Sequence, residues 1–385
     1  MILHLAPDEK FIDAAIALFE GVAPQQNHYV VWLEPGFTKP QFVKSTENVR
    51  CIPKSEAAQL QILSNLSNYK AVILHGLDGF AAELVNLSPV KTRFLWLALG
   101  FDIYTAFPHF PWRVYQRHTR NILREMRGGG RLSECRAILS ATLFRSRLAY
   151  SVIVSKRLQA ISRIQHCATV LPEEHVAVRA LDFKGQFLRF NYGWIESMVT
   201  DVSISYNDLG RNILVGNSST PTCNHVDIFR RLSHLQFQDR KVIVPLSYGD
   251  FTYRNHVIRS GDNIFNEAFS PLADFVPINV YNSVLRSCSI VVMNHLRQQA
   301  MGNIIASLHM GAKVFLNERN PAYSFLKHIG ATIFSLQKDF DSISRSIESI
   351  LPEQAASNKR CINSEYSWEM SLKRTRDVVD LLMAG

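Results

Sequence analysis

The chain has 385 residues, a formal net charge of +9 at pH 7 and an apolar fraction of 47%. This length allows two domains of ordinary size, and the apolar fraction excludes a disordered protein. No apolar run approaches the ~20 residues that span a bilayer, and the first residues resemble no secretory signal. The positive charge favours an anionic partner: nucleic acid, a lipid surface or a phosphorylated metabolite.

Short apolar runs recur along the first 100 residues, separated by helical or loop segments, as in a parallel sheet. In open α/β sheets ligands bind at the carboxyl ends of the strands. His75 and Asp102 each follow such a run and are therefore candidates for catalysis. A structural role, with the side chain bonded to backbone, is the alternative for each. The runs are residues 2–5, 29–33, 71–75 and 93–99.

Residues 108–157 are the most basic part of the chain, with eleven Arg or Lys and two acidic residues. Six arginines recur at spacings of four and three, so a helix would carry them on one stripe. This pattern is typical of a helix lying on an anionic membrane, and also of a solvated face above a core-facing apolar one. We predict membrane contact through the first five of Arg113, Arg117, Arg120, Arg124, Arg127 and Arg131.

Residues 151–154 and 168–171 are predicted as further strands, and the irregular aromatic stretch 183–194 ends the first domain. This predicts domains at 1–195 and 196–385. The second half then repeats one design, in which a short apolar strand runs into small polar residues and a helix follows. Strands of this kind are predicted at residues 212–215, 241–245, 290–293 and 314–316.

The stretch 289–321 is the clearest of these repeats. Its first strand ends in a run of amide side chains, and Gly302-Asn303 opens an amphipathic helix that stops at Gly311. A helix N-terminus at the carboxyl edge of a sheet favours an anion such as phosphate. The alternative is a helix cap followed by ordinary surface loops.

Other chemistries find little support. The chain has no Gly-x-Ser-x-Gly elbow and no credible Cys–His context, which argues against nucleophilic catalysis. Asp339-Phe340-Asp341 formally matches the Asp-x-Asp motif of metal-dependent sugar transferases. It lies at a predicted helix start, where Asp is a good cap, so we expect no bound cation. The six cysteines lack paired or zinc-type spacing and are predicted to be reduced, mostly buried thiols of a cytosolic protein.

Several segments together resemble glycosyltransferase family 56. Most specific are Ile213-Leu-Val-Gly-Asn-Ser218, Val242-Ile-Val-Pro245, Arg297-Gln-Gln299 and Leu316-Asn-Glu-Arg-Asn-Pro321. His75-Gly76 and Gly100-Phe101-Asp102-Ile103-Tyr104 are similar to segments of that family's first domain. The likeness covers residues 70–325 in patches. The chain departs from the family at Phe101, in the loop 217–225 and in the arginine-rich insert.

The resemblance implies a GT-B α/β fold, with two Rossmann-like domains facing a central cleft and the helix Trp368–Met383 crossing back to the first domain. It implies an inverting, metal-independent hexosyltransferase without a cofactor. The donor would be a dTDP-linked deoxyaminosugar similar to 4-acetamido-4,6-dideoxygalactose. The acceptor would be a polyprenyl-diphosphate-linked saccharide of bacterial surface polysaccharide synthesis, at the cytoplasmic face of the inner membrane.

The resemblance also implies roles for individual residues. Asp102 would be the general base that takes the acceptor proton, with His75 as second choice. The second domain would bind the nucleotide sugar. The residues assigned to the donor are Asn217, Ser218, Asn224, His225, Ser247, Tyr248, Arg297, Gln298, Gln299, Gly302, Asn303, Asn317 and Asn320.

Two other interpretations remain open. One is a GT-B transferase that uses a UDP- or GDP-sugar. The other is a nucleic-acid-binding protein that uses the arginine stripe 113–131. A nucleic-acid reader should intersperse aromatic and basic residues in one compact module. Here the polar loops are predicted in the other domain, which has no basic run, so no nucleic-acid partner is expected.

Overall fold

The computed structural model describes residues 1–44, 48–107, 113–126, 150–237, 239–340, 343 and 347–384, with the side chains of 150–153 excepted. The chain forms two compact units. The first takes its described residues from Met1–Pro108, Ile138–Trp194 and Trp368–Gly385. The second takes its described residues from His109–Ala137 and Ile195–Ser367.

The first unit is built on a seven-stranded sheet whose paired strands are all parallel. Its strands are β1 (Ile2–Pro7), β2 (Asn27–Leu33), β3 (Val49–Pro53), β4 (Ala71–His75), β5 (Phe94–Ala98), β6 (His166–Thr169) and β7 (Gln186–Phe187). The spatial order is β3-β2-β1-β4-β5-β6-β7. The order therefore reverses between β1 and β4, where a crevice forms in doubly wound folds.

Helices cover this sheet because its central strands are apolar on both faces; β4 and β5 are buried along their whole length. The helices are α1 (Ile12–Val22), α2 (Glu56–Asn65), α3 (Gly79–Leu87), α4 (Phe101–Tyr104), α6 (Tyr150–Arg163), α7 (His175–Arg179) and α15 (Trp368–Met383). Helix α15 packs on α1 through Val378 and Leu382, in a cluster that includes Phe19. The predicted return of the C-terminal helix to the first domain is confirmed.

The second unit has a six-stranded parallel sheet in the order β10-β9-β8-β11-β12-β13. Its strands are β8 (Asn212–Val215), β9 (Val242–Pro245), β10 (Phe269–Leu272), β11 (Cys288–Met293), β12 (Lys313–Leu316) and β13 (Phe334–Ser335). The order reverses between β8 and β11. This sheet therefore repeats the topology of the first.

The helices of the second unit complete this α/β layer. They are α5 (Arg117–Met126), α8 (Ile195–Met198), α9 (His225–Leu232), α10 (Phe251–Phe265), α11 (Ile278–Arg286), α12 (Met301–Met310), α13 (Pro321–His328) and α14 (Pro352–Glu365). Gly311 ends α12 in the left-handed region at φ 94°, as predicted. In the described part of the chain, no helix is long and apolar enough to cross a membrane.

Two sequence predictions need correction. Residues 151–154 lie inside α6 and do not form a strand. The described arginine-rich residues 113–126 belong to the second unit, although the predicted boundary placed them in the first. The apolar face of α5 packs Ile122 and Met126 against the second unit's core and is therefore not available to a membrane.

Candidate active site

The carboxyl edge of the second sheet gathers most of the predicted donor residues at its topological switch point. The loop after β8 holds Asn217 and Ser218, and the loop after β11 holds His295 and Gln299. Strands β8 and β11 are neighbours, so their loops meet. This is the crevice position that doubly wound folds use for ligands.

Asn217 is the centre of this crevice. Its Oδ1 accepts hydrogen bonds from Gln299 Nε2 at 3.0 Å and His295 Nε2 at 3.1 Å. Its Nδ2 donates to the hydroxyl of Tyr248 at 2.9 Å, and Tyr248 is 44% exposed. Gln299 also accepts from Thr222 Oγ1 at 2.6 Å. The network thus holds one face of the loops together and leaves the Tyr248 ring at the surface.

The loops after β8 and β9 are joined by their backbones. Ser219 N donates to Tyr248 O at 2.8 Å, and Ser219 Oγ donates to the same oxygen at 2.7 Å. Gly249 follows in the left-handed region at φ 117°, where a Cβ would lie 2.8 Å from Thr220 N. Only glycine fits this approach. Tyr248 is therefore fixed relative to Asn217, and Ser247 beside it is half-buried.

Helix α12 begins next to this network with an uncapped N-terminus. Ala300 precedes it in the left-handed region at φ 62°, and no side chain caps it. Gly302 is exposed, and nothing lies within 4 Å of where its Cβ would be. Asn303 donates to Tyr281 Oη at 2.7 Å. First-turn N–H groups without a side-chain cap are a ready anion site.

A buried thiol lies beneath the crevice. Cys223 Sγ is 3.3 Å from His295 Nε2 and 3.4 Å from Asn217 Oδ1. The expectation of no Cys–His context is wrong as geometry. Burial raises the pKa of the Cys223 thiol, and burial together with Arg297 lowers the pKa of His295 well below its usual range. The pair is therefore neutral and is no activated nucleophile.

His225 is also fully buried, beside Gly216. Among the described residues neither of its ring nitrogens has a hydrogen-bond partner. Burial lowers the pKa of His225 to about 3. Its neutral ring therefore carries two unsatisfied polar atoms in the core, a costly arrangement.

The first unit holds the two predicted catalytic residues, and both are fully buried. The Asp102 carboxylate accepts four hydrogen bonds: from Trp96 Nε1 at 2.7 Å and from the backbone N–H groups of Leu77, Leu99 and Ile103 at 2.9 to 3.0 Å. Burial raises the pKa of Asp102, and these bonds oppose the rise. The carboxylate ties the loop after β4 to the loop after β5.

His75 lies in a buried chain of polar side chains. Its Nδ1 is 2.9 Å from the Tyr192 hydroxyl, and its Nε2 is 3.1 Å from His4 Nδ1. His4 Nε2 in turn is 3.2 Å from Asn27 Oδ1. Burial lowers the pKa of His4 to about 3, and burial together with His4 lowers the pKa of His75 well below its usual range. Both imidazoles are therefore neutral.

Comparison with known proteins decides the family. A family model described as 4-alpha-L-fucosyltransferase, glycosyl transferase group 56, matches residues 140–356, which is more than half of the chain. The chain belongs to glycosyltransferase family 56.

Solved structures establish the fold of this family 56 glycosyltransferase. WaaG, a glycosyltransferase involved in lipopolysaccharide biosynthesis, matches with a TM-score of 0.57 and 9% identity, covering 100% of both chains. Sucrose-phosphate synthase from Thermosynechococcus elongatus matches with a TM-score of 0.62 and 9% identity, covering 100% of this chain and 99% of that one. HepE from Anabaena, in complex with UDP and glucose, gives 0.56 and 10%, covering 99% and 94%. The fold is GT-B, as predicted.

In this family 56 enzyme both predicted catalytic residues, Asp102 and His75, are fully buried. Neither side chain reaches the surface, and four donors surround the Asp102 carboxylate. Three of these donors lie within six residues of Asp102, and the fourth, Leu77, comes from the loop after β4, which local sequence does not place beside it.

Three predicted donor residues likewise serve the fold. Asn224 bonds the backbone of Val114 and Gln116, just before α5, Asn317 bonds Asn294, and Asn320 caps α13 through Ala322 N. Gln298 is 8% exposed, and Arg297 Nη1 donates to its carbonyl. The residues that remain at the crevice or beside it are Asn217, Ser218, Ser247, Tyr248, Arg297, Gln299, Gly302 and Asn303.

The arginine stripe is partly described. Arg113, Arg117 and Arg124 are exposed, and Arg120 donates to Tyr115 O at 3.0 Å. Arg127 and Arg131 lie outside the described residues. Asp339 accepts from Ser335 N at 2.6 Å and so serves the chain's own turn, while Asp341 lies outside the description. Within the described part, no group of three or more His, Cys, Asp or Glu could hold a metal ion.

We predict that Asp102→Asn destabilises the first unit. The amide NH₂ would face two N–H donors whichever way it turned, at a cost of about 1–3 kcal/mol. Denaturant unfolding should show this loss, with nucleotide affinity retained. Asp78→Asn is the control, because asparagine can still cap α3 by accepting from Ala81 N. A stable Asp102→Asn variant with strongly reduced turnover would instead support the base role.

We predict that His225→Leu stabilises the protein and reduces its acid sensitivity. A histidine that is neutral when folded and protonated when unfolded loses stability as pH falls from about 6.5 towards its folded pKa, by about 1.4 kcal/mol per unit. Removing the ring should reduce that slope by this amount and relieve two unsatisfied nitrogens. Denaturant unfolding at several pH values measures both effects, with exposed His328→Leu as control. An unchanged slope would contradict a neutral His225.

Proposed function

We propose that this family 56 enzyme transfers a deoxyaminosugar from a dTDP-linked donor to a polyprenyl-diphosphate-linked saccharide, with inversion. The reaction would take place at the cytoplasmic face of the inner membrane during synthesis of a bacterial surface polysaccharide. The family membership supports glycosyl transfer. The particular donor, acceptor and location come from the likeness of the motifs described above.

The uncapped N-terminus of α12 beside the Asn217 network carries this proposal. A nucleoside diphosphate leaving group develops charge as the glycosidic bond breaks, and fixed N–H dipoles stabilise that charge. Gly302 leaves the first turn of α12 open. The half-buried Arg297 adds a positive charge on the preceding loop. We propose that these groups neutralise the diphosphate without a metal ion.

The remaining polar groups at the crevice fit the rest of the donor. Tyr248 offers an exposed ring for a base or a sugar, and its hydroxyl is held by Asn217. Ser218 Oγ is bonded to Thr220 Oγ1 at 2.9 Å and stiffens the loop after β8. Such positioning lowers the entropy cost of holding the donor in a reactive geometry.

The exposed face of α5 supports the membrane part of the proposal. Arg117 and Arg124 lie on the opposite side of the helix from Ile122 and Met126, which pack on the core of the second unit. Each such cation contributes about 1 kcal/mol near an anionic lipid surface. The attraction would then be electrostatic, without insertion of the apolar face.

We predict selective binding of dTDP over UDP, GDP and CMP, measured by calorimetry in EDTA.

Gly302→Asp should weaken dTDP binding by about tenfold or more, because a carboxylate would repel the diphosphate. The same change should leave the fold as stable or slightly more so, since an acidic side chain favours a helix N-terminus. Gly302→Asn is the neutral control of similar size.

Opposite signs for affinity and stability distinguish loss of an anion site from damage to the helix. If the Gly302→Asp variant bound dTDP as tightly as the wild type does, the diphosphate would have to bind elsewhere. Preference for UDP or GDP would support the other GT-B interpretation. Binding that appears only when magnesium or manganese is added would contradict the metal-free site.

We also predict that Arg117→Glu with Arg124→Glu weakens binding to vesicles containing phosphatidylglycerol. Two lost attractions of about 1 kcal/mol each correspond to about 30-fold, before repulsion is added. Flotation measures the effect, with neutral phosphatidylcholine vesicles as background. Arg117→Lys with Arg124→Lys keeps the charge and should bind as the wild type does. Undiminished flotation of the glutamate variant would leave the stripe as a solvated face.

A further inference from the structure

Residues 113–119, which we call the docking segment, lie across the carboxyl edge of the second sheet. Arg319, after β12, donates from Nη2 to Arg113 O at 2.9 Å. Asn224, at the start of α9, accepts from Gln116 N at 2.7 Å and donates to Val114 O at 3.0 Å. The segment is thus bonded to the loops after two strands of the sheet.

Asp227 holds the end of this segment. Its carboxylate accepts from the N–H groups of His118 and Thr119 at 2.8 and 2.9 Å, and from Thr119 Oγ1 at 2.7 Å. These are first-turn donors of α5, which normally need a cap. The cap comes here from α9, 108 residues along the chain from Thr119. The start of α5 is therefore bonded to α9 of the second unit.

Gln116 makes the contact that reaches the crevice. Its Nε2 donates to Asn294 Oδ1 at 3.1 Å, and its Oε1 accepts from Asn294 Nδ2 at 2.9 Å. This is a head-to-head amide pair. Asn294 Oδ1 also accepts from Asn317 Nδ2 at 3.1 Å, and Asn294 Nδ2 donates to Asn224 O at 3.3 Å. Half of the four bonds of this buried amide come from Gln116.

Asn294 is the first residue of the loop after β11, and the donor groups follow directly. His295 and Gln299, on the same loop, both donate to Asn217. The loop ends at Ala300, where α12 begins with its open first turn. The position of Asn294 therefore sets the position of the predicted diphosphate site.

We propose that Gln116 is a positioning residue for the donor, acting through Asn294. The inference rests on the proposed function, since it assigns the site at α12 to a nucleoside diphosphate. Without Gln116, Asn294 loses one donor and one acceptor bond while it stays buried. The loop relieves this by moving, and the crevice loses its alignment. The arginine helix thus completes the donor site as well as presenting its basic face.

The test uses Gln116→Ala and Gln116→Glu in the full chain, with whichever of dTDP, UDP and GDP the wild type binds. Gln116→Ala should weaken binding of that nucleotide by about tenfold at every pH, as expected for buried hydrogen bonds left unmade. Gln116→Glu should depend on pH. Its protonated carboxyl donates to Asn294 Oδ1 and accepts from Asn294 Nδ2, so it reproduces the amide pair.

Once ionised, the carboxylate of the Gln116→Glu variant faces Asn294 Oδ1 with a second acceptor, and affinity should fall about tenfold as pH rises across roughly 5 to 8. The charged or titratable groups on the elements packed here are Arg117, His118 and Arg120 on α5, Cys223, His225 and Asp227 at or before α9, His295 after β11 and Arg319 after β12. All of them are the same in the wild type. Dividing each dissociation constant by the wild-type value at that pH therefore isolates residue 116.

The outcomes separate the two proposals. If the wild type binds none of the nucleotides, the proposed function fails and the inference fails with it. If the wild type binds and Gln116→Ala binds equally well, only the inference is overturned. A Gln116→Glu variant without pH dependence also overturns it. Should Gln116→Ala fail to fold, Gln116→Glu at low pH still decides, because it retains both bonds.

Discussion

A buried amide must have its hydrogen bonds satisfied, and that requirement organises the carboxyl edge of the second sheet. Asn294 is surrounded by Gln116, Asn317 and the backbone of Asn224, so its full capacity is used inside the protein. Asn217, on the loop after β8, is likewise an amide whose hydrogen bonds are made to other side chains of the protein. Such networks are stabilising only when complete, so each loop depends on the others for its position. The polar side chains of the crevice are thus held in place by hydrogen bonds to one another.

The same requirement joins the basic helix to this edge. Helix α5 has the composition of a surface helix, but Asp227 accepts from its first-turn N–H groups and Asn224 accepts from the N–H of Gln116 just before it. Its apolar face lies on the core of the second unit. The arginines are thus carried by the unit that holds the amide network. A displacement of the helix would therefore also displace the loops that the helix contacts.

Sequence predicted the parts of this fold that depend on short-range signals. Strand β11, helix α12 and its stop at Gly311 follow from an apolar run, an amphipathic period and a glycine at positive φ. The apolar run at 151–154 carries no such distinction, and in the structure it lies in helix α6. Asp102, predicted as the general base, and Asn224 and Asn317, predicted to bind the donor, are all buried in the structure. One partner of Asn224, Gln116, lies 108 residues away along the chain, and no local pattern reveals that distance.

The chain of buried rings in the first unit has a direction. Asn27 Nδ2 donates to Ala23 O at 2.8 Å, so its Oδ1 must be the acceptor for His4. His4 then donates through Nε2 and accepts at Nδ1, which makes His75 Nε2 a donor and its Nδ1 an acceptor. Tyr192 must therefore donate to His75. The orientation of the Asn27 amide on β2 thus sets the polarity of a phenol three links away: the Tyr192 oxygen is left with lone pairs and no hydrogen to offer.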